Sequence, residues 1–383
     1  MSEPRHPPIV PSYGAGALAD LSASVAASLG IPGFQNVLRL PRVDRACLLV
    51  VDGLGWEQLR DHPAAAPFLS ELARSARPIT AGFPATTVTS MASVCTAEPP
   101  GQHGMVGYQV LVPGTGRLLN GLRWDSRVDP VSWQPRPTIY ERATAAGVAA
   151  FHCAQGSFRG TGLTNALMRG AEFLAADTMG ALAARSTSAM AGAGRALVTV
   201  YHGDLDGTGH VFGVGSDAWV YQLTHVDRLA EHLAGALPSG SSLYVTGDHG
   251  MVDVGPDDRI DVDKVAALRE GVAVLGGEPR ARHVYARPGA AADVLAAWRD
   301  VLGDRAWVLP RDEAIKEGWF GPVDARFTER IGDVIAAPAG NTAIIASKAE
   351  PRESALFGMH GSLAPPDQLV PALAYTALLW SAR

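Results

Sequence analysis

Three unbroken apolar runs punctuate the chain, and each gives way to acidic residues and glycine. Ala46-Cys47-Leu48-Leu49-Val50-Val51 ends on Asp52-Gly53, and Ala196-Leu197-Val198-Thr199-Val200-Tyr201 runs into His202-Gly203-Asp204. Ser242-Leu243-Tyr244-Val245-Thr246 delivers Gly247-Asp248-His249-Gly250. Runs of this kind, without alternation, predict strands covered on both faces. Around them, the periodicity predicts helices at Leu18 to Leu29, through Leu59 and then Phe68 to Ala76, and at Thr138 to Gly147 with a terminal glycine. Further helices are expected at the alanine-rich Leu174 to Ala191 and the amphipathic Trp219 to Leu233, and another strand at Val148 to Cys153. Met105 to Trp124 predicts a short β excursion about Pro113-Gly114-Thr115-Gly116. Strands alternating with helices over this distance predict a largely parallel, doubly wound sheet.

From Val272 to about Ile335 the segments shorten: a strand near His283 to Ala286, a helix at Ala291 to Leu302, a strand at Ala306 to Leu309 and a helical turn at Asp312 to Lys316. They predict a small inserted α+β subdomain at 271–335. The core is then 43–270 with 336–383, preceded by an arm and helix at 1–42. The chain is expected to return through Thr342 to Ala346 and to close with a helix from Gln368 to Trp380.

With 383 residues, 47% hydrophobic and 18% charged, the chain can bury a large core. A net charge of -6 without blocks of like charge gives no footing for nucleic acid or an anionic membrane, so an anionic substrate needs local positive charge. No apolar run is long enough for a secretory signal or a membrane span, and the expected location is cytoplasmic. Cys47, Cys95 and Cys153 sit among apolar or small residues and read as buried free thiols.

The candidate chemistry gathers in glycine-containing loops. Ile79-Thr80-Ala81-Gly82-Phe83-Pro84-Ala85-Thr86-Thr87-Val88-Thr89-Ser90-Met91 presents hydroxyls at a predicted helix N-terminus, where they are ordinary caps or a nucleophile placed to meet an anion. With Thr87, the residues Asp52, Asp206, His210, Asp248, His249 and His360 form a set of three carboxylates, three imidazoles and one hydroxyl. Asp206 and His210 are expected in a glycine-rich loop after a strand. Oxygen and nitrogen donors in this ratio fit two divalent metals, most simply Zn²⁺, with Mn²⁺ or Fe as rivals. His62, His152, His202, His225, His232 and His283 read as polar groups with ordinary partners.

Taken in order, Val51-Asp52-Gly53, Phe83-Pro84-Ala85-Thr86-Thr87, His103-Gly104, Asp206-Gly207-Thr208-Gly209-His210, Gly247-Asp248-His249-Gly250-Met251 and His360-Gly361 resemble the type I phosphodiesterase/nucleotide pyrophosphatase branch of the alkaline phosphatase superfamily. The resemblance implies an alkaline-phosphatase-like three-layer α/β/α sandwich. It implies that Asp52, Thr87, Asp248 and His249 surround one metal, that Asp206, His210 and His360 surround the other, and that Thr87 is the nucleophile. The implied reaction is cleavage of a phosphodiester or pyrophosphate bond in a small phosphorylated or nucleotide-like substrate, through a phosphothreonine. The alternatives are a phosphomonoesterase, a phosphonate hydrolase or a phosphomutase of the same superfamily, or a non-catalytic member that binds metal or ligand.

The sequence departs from the family where many nucleotide pyrophosphatases carry an Asn that holds the phosphoryl group; Val106-Gly107-Tyr108 stands there. Tyr108 or Asn120 is expected to donate in its place, Tyr108 being equally able to serve as packing. Arg123 with Trp124, and Arg159, are candidate substrate contacts, because Arg pairs with phosphate and Trp stacks on a base.

Overall fold

A computed structural model describes residues 7–377. Its central sheet has six strands in the order Leu373–Thr376, Ser241–Gly247, Arg45–Val51, Ala196–His202, Ala149–Ala154, Glu172–Ala175. Five run parallel, and Leu373–Thr376 is an antiparallel edge. Alternate residues of Arg45–Val51 serve opposite faces. Ala46, Leu48 and Val50 pack with helices Leu18–Ser28, Thr87–Thr96 and Ile139–Ala145. Cys47, Leu49 and Val51 pack with Met179–Gly192 and Asp217–Gly235. The expected three-layer α/β/α sandwich is therefore present, and its central strands are mostly apolar because helices cover both faces.

Register positions the chemistry. Val51 lies opposite both His202 and Gly247, so three neighbouring strands end at one level. Asp52 and Asp248, the next residues, leave the sheet side by side at the carboxyl ends of the strands, where open parallel sheets place their ligands.

A second, antiparallel sheet has the order Val272–Glu278, Ala281–Ala286, Val334–Pro338, Ala306–Pro310. Helix Ala291–Leu302 covers it through the buried Val294, Trp298 and Leu302. This sheet runs to Pro338, past the boundary expected at 335. The strand Ala343–Ile345 pairs with Arg259–Asp261 in a separate two-stranded sheet.

Three sequence expectations are corrected. Leu174 and Ala175 belong to a strand, and the helix begins at Met179. The segment expected as a glycine-rich loop forms helix Asp204–Phe212. The closing helix is replaced by a helical turn, Pro365–Gln368, then Leu369–Val370 and the edge strand Leu373–Thr376. Pro371 cannot continue a helix, and the free edge of Ser241–Gly247 offers the backbone its hydrogen bonds. The remainder of that expected helix, 378–380, lies outside the described residues.

Candidate active site

Thr87 is the first residue of helix Thr87–Thr96. The cap residue, Thr86, has extended backbone but does not cap with its side chain. Its hydroxyl donates instead to Glu278 Oε2 at 3.2 Å. Thr87 Oγ1 lies 3.4 Å from Asp52 Oδ2 and 3.4 Å from His249 Nε2, and so faces the cluster at the strand ends.

Two groups of three carry the ligand atoms. Asp52, Asp248 and His249 converge within 4.8 Å of one another, and Asp206, His210 and His360 do the same. His249 Nε2 is 3.2 Å from Asp52 Oδ1 and 3.6 Å from Asp248 Oδ2. His210 Nε2 is 3.1 Å from Asp206 Oδ2, one helical turn away, and His360 Nε2 is 3.8 Å from Asp206 Oδ1. The His249 and His360 rings stack at 3.6 Å and join the two groups.

The far side of each ring decides what lies between. His210 Nδ1 meets the Gly358 carbonyl at 2.7 Å, His249 Nδ1 the Gly250 carbonyl at 2.9 Å, and His360 Nδ1 the Ala85 carbonyl at 3.0 Å. A carbonyl only accepts, so each Nδ1 carries a proton and each ring turns Nε2 toward carboxylate oxygens, as a lone pair where the ring is neutral and as an N–H where it is protonated. Lone pair against lone pair is unfavourable unless positive charge sits between them. Asp206 Oδ1 and Asp248 Oδ2 are buried without a hydrogen-bond partner, which is the same deficit seen from the carboxylate side. The donors thus fit metal ions, and the backbone carbonyls are the outer partners that metal-bound histidines characteristically use.

Titration follows this crowding. Burial opposes the charged form of His210, but Asp206 and the Gly358 carbonyl outweigh it and raise the ring to about 9. Burial, with Asp52 and Asp206 close by, lifts Asp248 well above the carboxylate range. Burial acts the same way on Asp52, yet His249 and the Tyr201 phenol hold that carboxyl below its ordinary value. Burial raises Glu278 to about 8.

Beside Thr87 opens a cavity of about 450 Å³. Tyr108 and Arg123 line it; the Tyr108 hydroxyl lies 3.4 Å from Glu353 Oε1 and an Arg123 nitrogen 3.7 Å from the same oxygen. Asn120 and Arg159 are not part of the lining. Asn120 Oδ1 accepts from the backbone N–H groups of Leu122 and Arg123, closing its turn, and Arg159 donates to the Phe173 carbonyl at 2.7 Å. Trp124 donates to the Val128 carbonyl and packs locally. His103 also stays out of the site, pairing with Ser93. Sequence reasoning missed Tyr201, which donates to Asp52, and Glu278. Tyr201 reads as the last apolar residue of a strand, and Glu278 stands in no motif.

A family model described as type I phosphodiesterase / nucleotide pyrophosphatase matches residues 46–363. No curated protein matches the sequence. Among solved structures, murine ectonucleotide pyrophosphatase / phosphodiesterase 5, an inactive form in complex with AMP, is 17% identical with a TM-score of 0.67, covering 87% of this chain and 88% of that one. The human protein gives 17% and 0.66 over 86% and 87%. Phosphonoacetate hydrolase from Sinorhizobium meliloti, in complex with phosphonoformate, gives 20% and 0.64 over 90% and 92%. At such identities the likeness is one of fold, and that fold is alkaline-phosphatase-like.

Proposed function

The chain belongs to the type I phosphodiesterase / nucleotide pyrophosphatase family, and from that premise we propose that it is a two-metal phosphohydrolase cleaving a phosphodiester or pyrophosphate bond through a phosphothreonine at Thr87. Members of the family are metal-dependent hydrolases of phosphoester or pyrophosphate bonds, and the chain is an enzyme of that class. The observation that carries the finer reading is the Thr87 hydroxyl at a helix N-terminus, within 3.5 Å of Asp52 and His249 and bordering a cavity.

In this reading Asp52, Thr87, Asp248 and His249 hold one ion and Asp206, His210 and His360 the other. A divalent ion bound there favours the deprotonated hydroxyl and neutralises phosphoryl charge; the mixed nitrogen and oxygen donors favour zinc, with manganese or iron as rivals. Thr87 Oγ1 bonds to phosphorus as the bond to the leaving oxygen breaks, and water then cleaves the phosphothreonine. Asp52 orients the hydroxyl, while the unpaired N–H groups at the helix N-terminus favour the non-bridging oxygens. The substrate is small and phosphorylated or nucleotide-like; a net charge of -6 gives no support for a nucleic-acid polymer. Three buried free thiols accord with a cytoplasmic setting, and we take the segment expected at 271–335, extended to the end of its sheet at Pro338, as an inserted subdomain.

Metal content and turnover of bis-p-nitrophenyl phosphate and p-nitrophenyl phosphate test this proposal. The expected result is two metal equivalents, a preference for the diester, and a loss of about a thousandfold or more in Thr87→Ala with metal retained. Unchanged turnover in Thr87→Ala sinks the phosphothreonine route. A metal-free protein that turns over neither ester leaves a ligand-binding function in its place.

A further inference from the structure

The cavity beside Thr87 is lined by two arginines and a carboxylate as well as by the metal-binding groups: Arg123, Arg352 and Glu353. Sequence reasoning singles out Arg123 and passes over Arg352, which stands in no motif. Both arginines are exposed, so they border the cavity at its mouth. An Arg123 nitrogen stands 3.7 Å from Glu353 Oε1, beyond hydrogen-bond distance, with 62% of the arginine side chain open to solvent. The Arg352 guanidinium has no hydrogen bond or ion pair among the described residues. Two cations therefore face one carboxylate, and a positive charge is left over at the mouth of a molecule whose net charge is -6. His152 also borders the cavity and lacks the partner expected from the sequence, but its Nδ1 is buried and out of a ligand's reach.

The backbone that presents the two arginines is braced. Asn120 Oδ1 accepts from the Arg123 N–H at 3.0 Å. On one side of Arg352 the Glu350 carboxylate pairs with the buried Arg282 at 2.7 Å. On the other, Arg259 donates to the Ser354 and Leu356 carbonyls at 2.6 and 2.8 Å. These neighbouring arginines are spent on holding the chain, and Arg352 is not. A side chain presented from a fixed backbone gives up less freedom on binding than one on a mobile loop. Exposed arginines are ordinarily solvated. These two differ in sharing one space of about 450 Å³ with Thr87, Asp206, His210 and His360, so a single small molecule can touch both ends.

We propose that Arg123 and Arg352 form a subsite for a second anionic group of the substrate, a carboxylate or a phosphoryl, while its reacting phosphoryl group lies at the metal-binding end. This rests on the phosphohydrolase reading and narrows its substrate class. A substrate with one anionic group leaves both guanidiniums without a partner; one with two anionic groups meets planar forks that pair with either anion.

The test is competitive inhibition of bis-p-nitrophenyl phosphate hydrolysis by the metal-loaded enzyme, using ω-phosphonocarboxylates of increasing chain length against the corresponding amides, which keep the shape and lose the charge. At the best length the acid should bind about fivefold or more tighter than its amide, and that ratio should shrink as salt rises, because the arginines are exposed. In the double variant Arg123→Gln with Arg352→Gln the ratio should fall to about one, and in Arg352→Glu it should fall below that. Both positions are exposed, so these variants are expected to keep the fold. The α,ω-bisphosphonates of the same lengths tell phosphoryl from carboxylate, the tighter series naming the group. Equal binding of acid and amide at every length, or a ratio that the double variant leaves intact, overturns the proposal. If no diester is hydrolysed, the phosphohydrolase reading fails by itself, and calorimetric binding of the same acids and amides to the metal-loaded protein still decides the subsite.

Discussion

Asp52 is pulled in two directions. Burial alone raises a carboxyl, yet this one is held below its ordinary value, because His249 stands 3.2 Å from Oδ1 and the Tyr201 phenol donates to Oδ2. The phenol is itself driven well above its usual range by burial and by Asp52, so it remains a donor at any working pH. Tyr201 is thereby the outer partner that keeps Asp52 ionised and aimed. Tyr201→Phe removes only that donor, and the expected outcome is a loss of about 10- to 100-fold in metal affinity, read by competition with a chromophoric chelator. Affinity equal to wild type would show that the phenol is packing alone. At this scale the sequence was informative about Asp52, Asp248 and His249, because each lies one or two residues beyond a buried strand. It was silent about Glu278: the residue ends strand Val272–Glu278 and stands in no motif, and only tertiary packing carries it to Thr86.

Between elements, one buried ion pair joins the second sheet to the loop that carries His360. Arg280, in the turn after Val272–Glu278, donates to both oxygens of Asp367 at 2.9 and 2.7 Å, and both side chains are fully buried. Asp367 Oδ1 also accepts from the backbone N–H of Ser362, two residues past His360. Removing one partner strands a buried charge, so Asp367→Asn should cost about 3–5 kcal/mol in urea unfolding, whereas the double change Arg280→Met with Asp367→Leu should recover much of it. A single substitution costing under about 1 kcal/mol would mean that the charges are already solvated. The elements legible in the sequence were those whose own pattern suffices: the apolar strands of the sheet, and Asp217–Gly235 with its buried Leu223, Val226, Leu229 and Leu233. Helix Asp204–Phe212 was not legible, because Gly207 and Gly209 lower helix propensity. The reason for Gly209 is tertiary, since a Cβ there would meet Met251 Sδ at 2.5 Å. The edge strand Leu373–Thr376 likewise exists only because a sheet edge awaits it.

For the whole molecule, three buried imidazoles set the direction of acid sensitivity. Burial lowers His103 and His283 to about 3 and His152 to about 4. In the unfolded chain each returns to about 6.5. Below that value the unfolded chain binds protons that the folded molecule refuses, so stability falls as pH falls, and each group stops contributing to the loss only near its folded value. Glu278, raised to about 8, acts in the opposite sense: between its unfolded value of about 4.3 and 8 it is the folded form that holds the extra proton. Protonation of the metal-binding groups adds a further acid-dependent term. A single substitution away from the metal groups separates these effects. His103 accepts from the Met105 N–H at 3.1 Å and pairs with Ser93 Oγ at 3.1 Å, and glutamine retains one donor and one acceptor there. The quantity to compare is therefore the slope of unfolding free energy against pH, taken from urea titrations between pH 6 and 4. In His103→Gln that slope should be shallower than in wild type by about one proton, or about 1.4 kcal/mol per pH unit, whatever the variant's absolute stability. Parallel slopes would place His103 in its charged form within the folded molecule, and the acid response would then have to come from His283, His152 and the carboxylates at the metal end of the cavity.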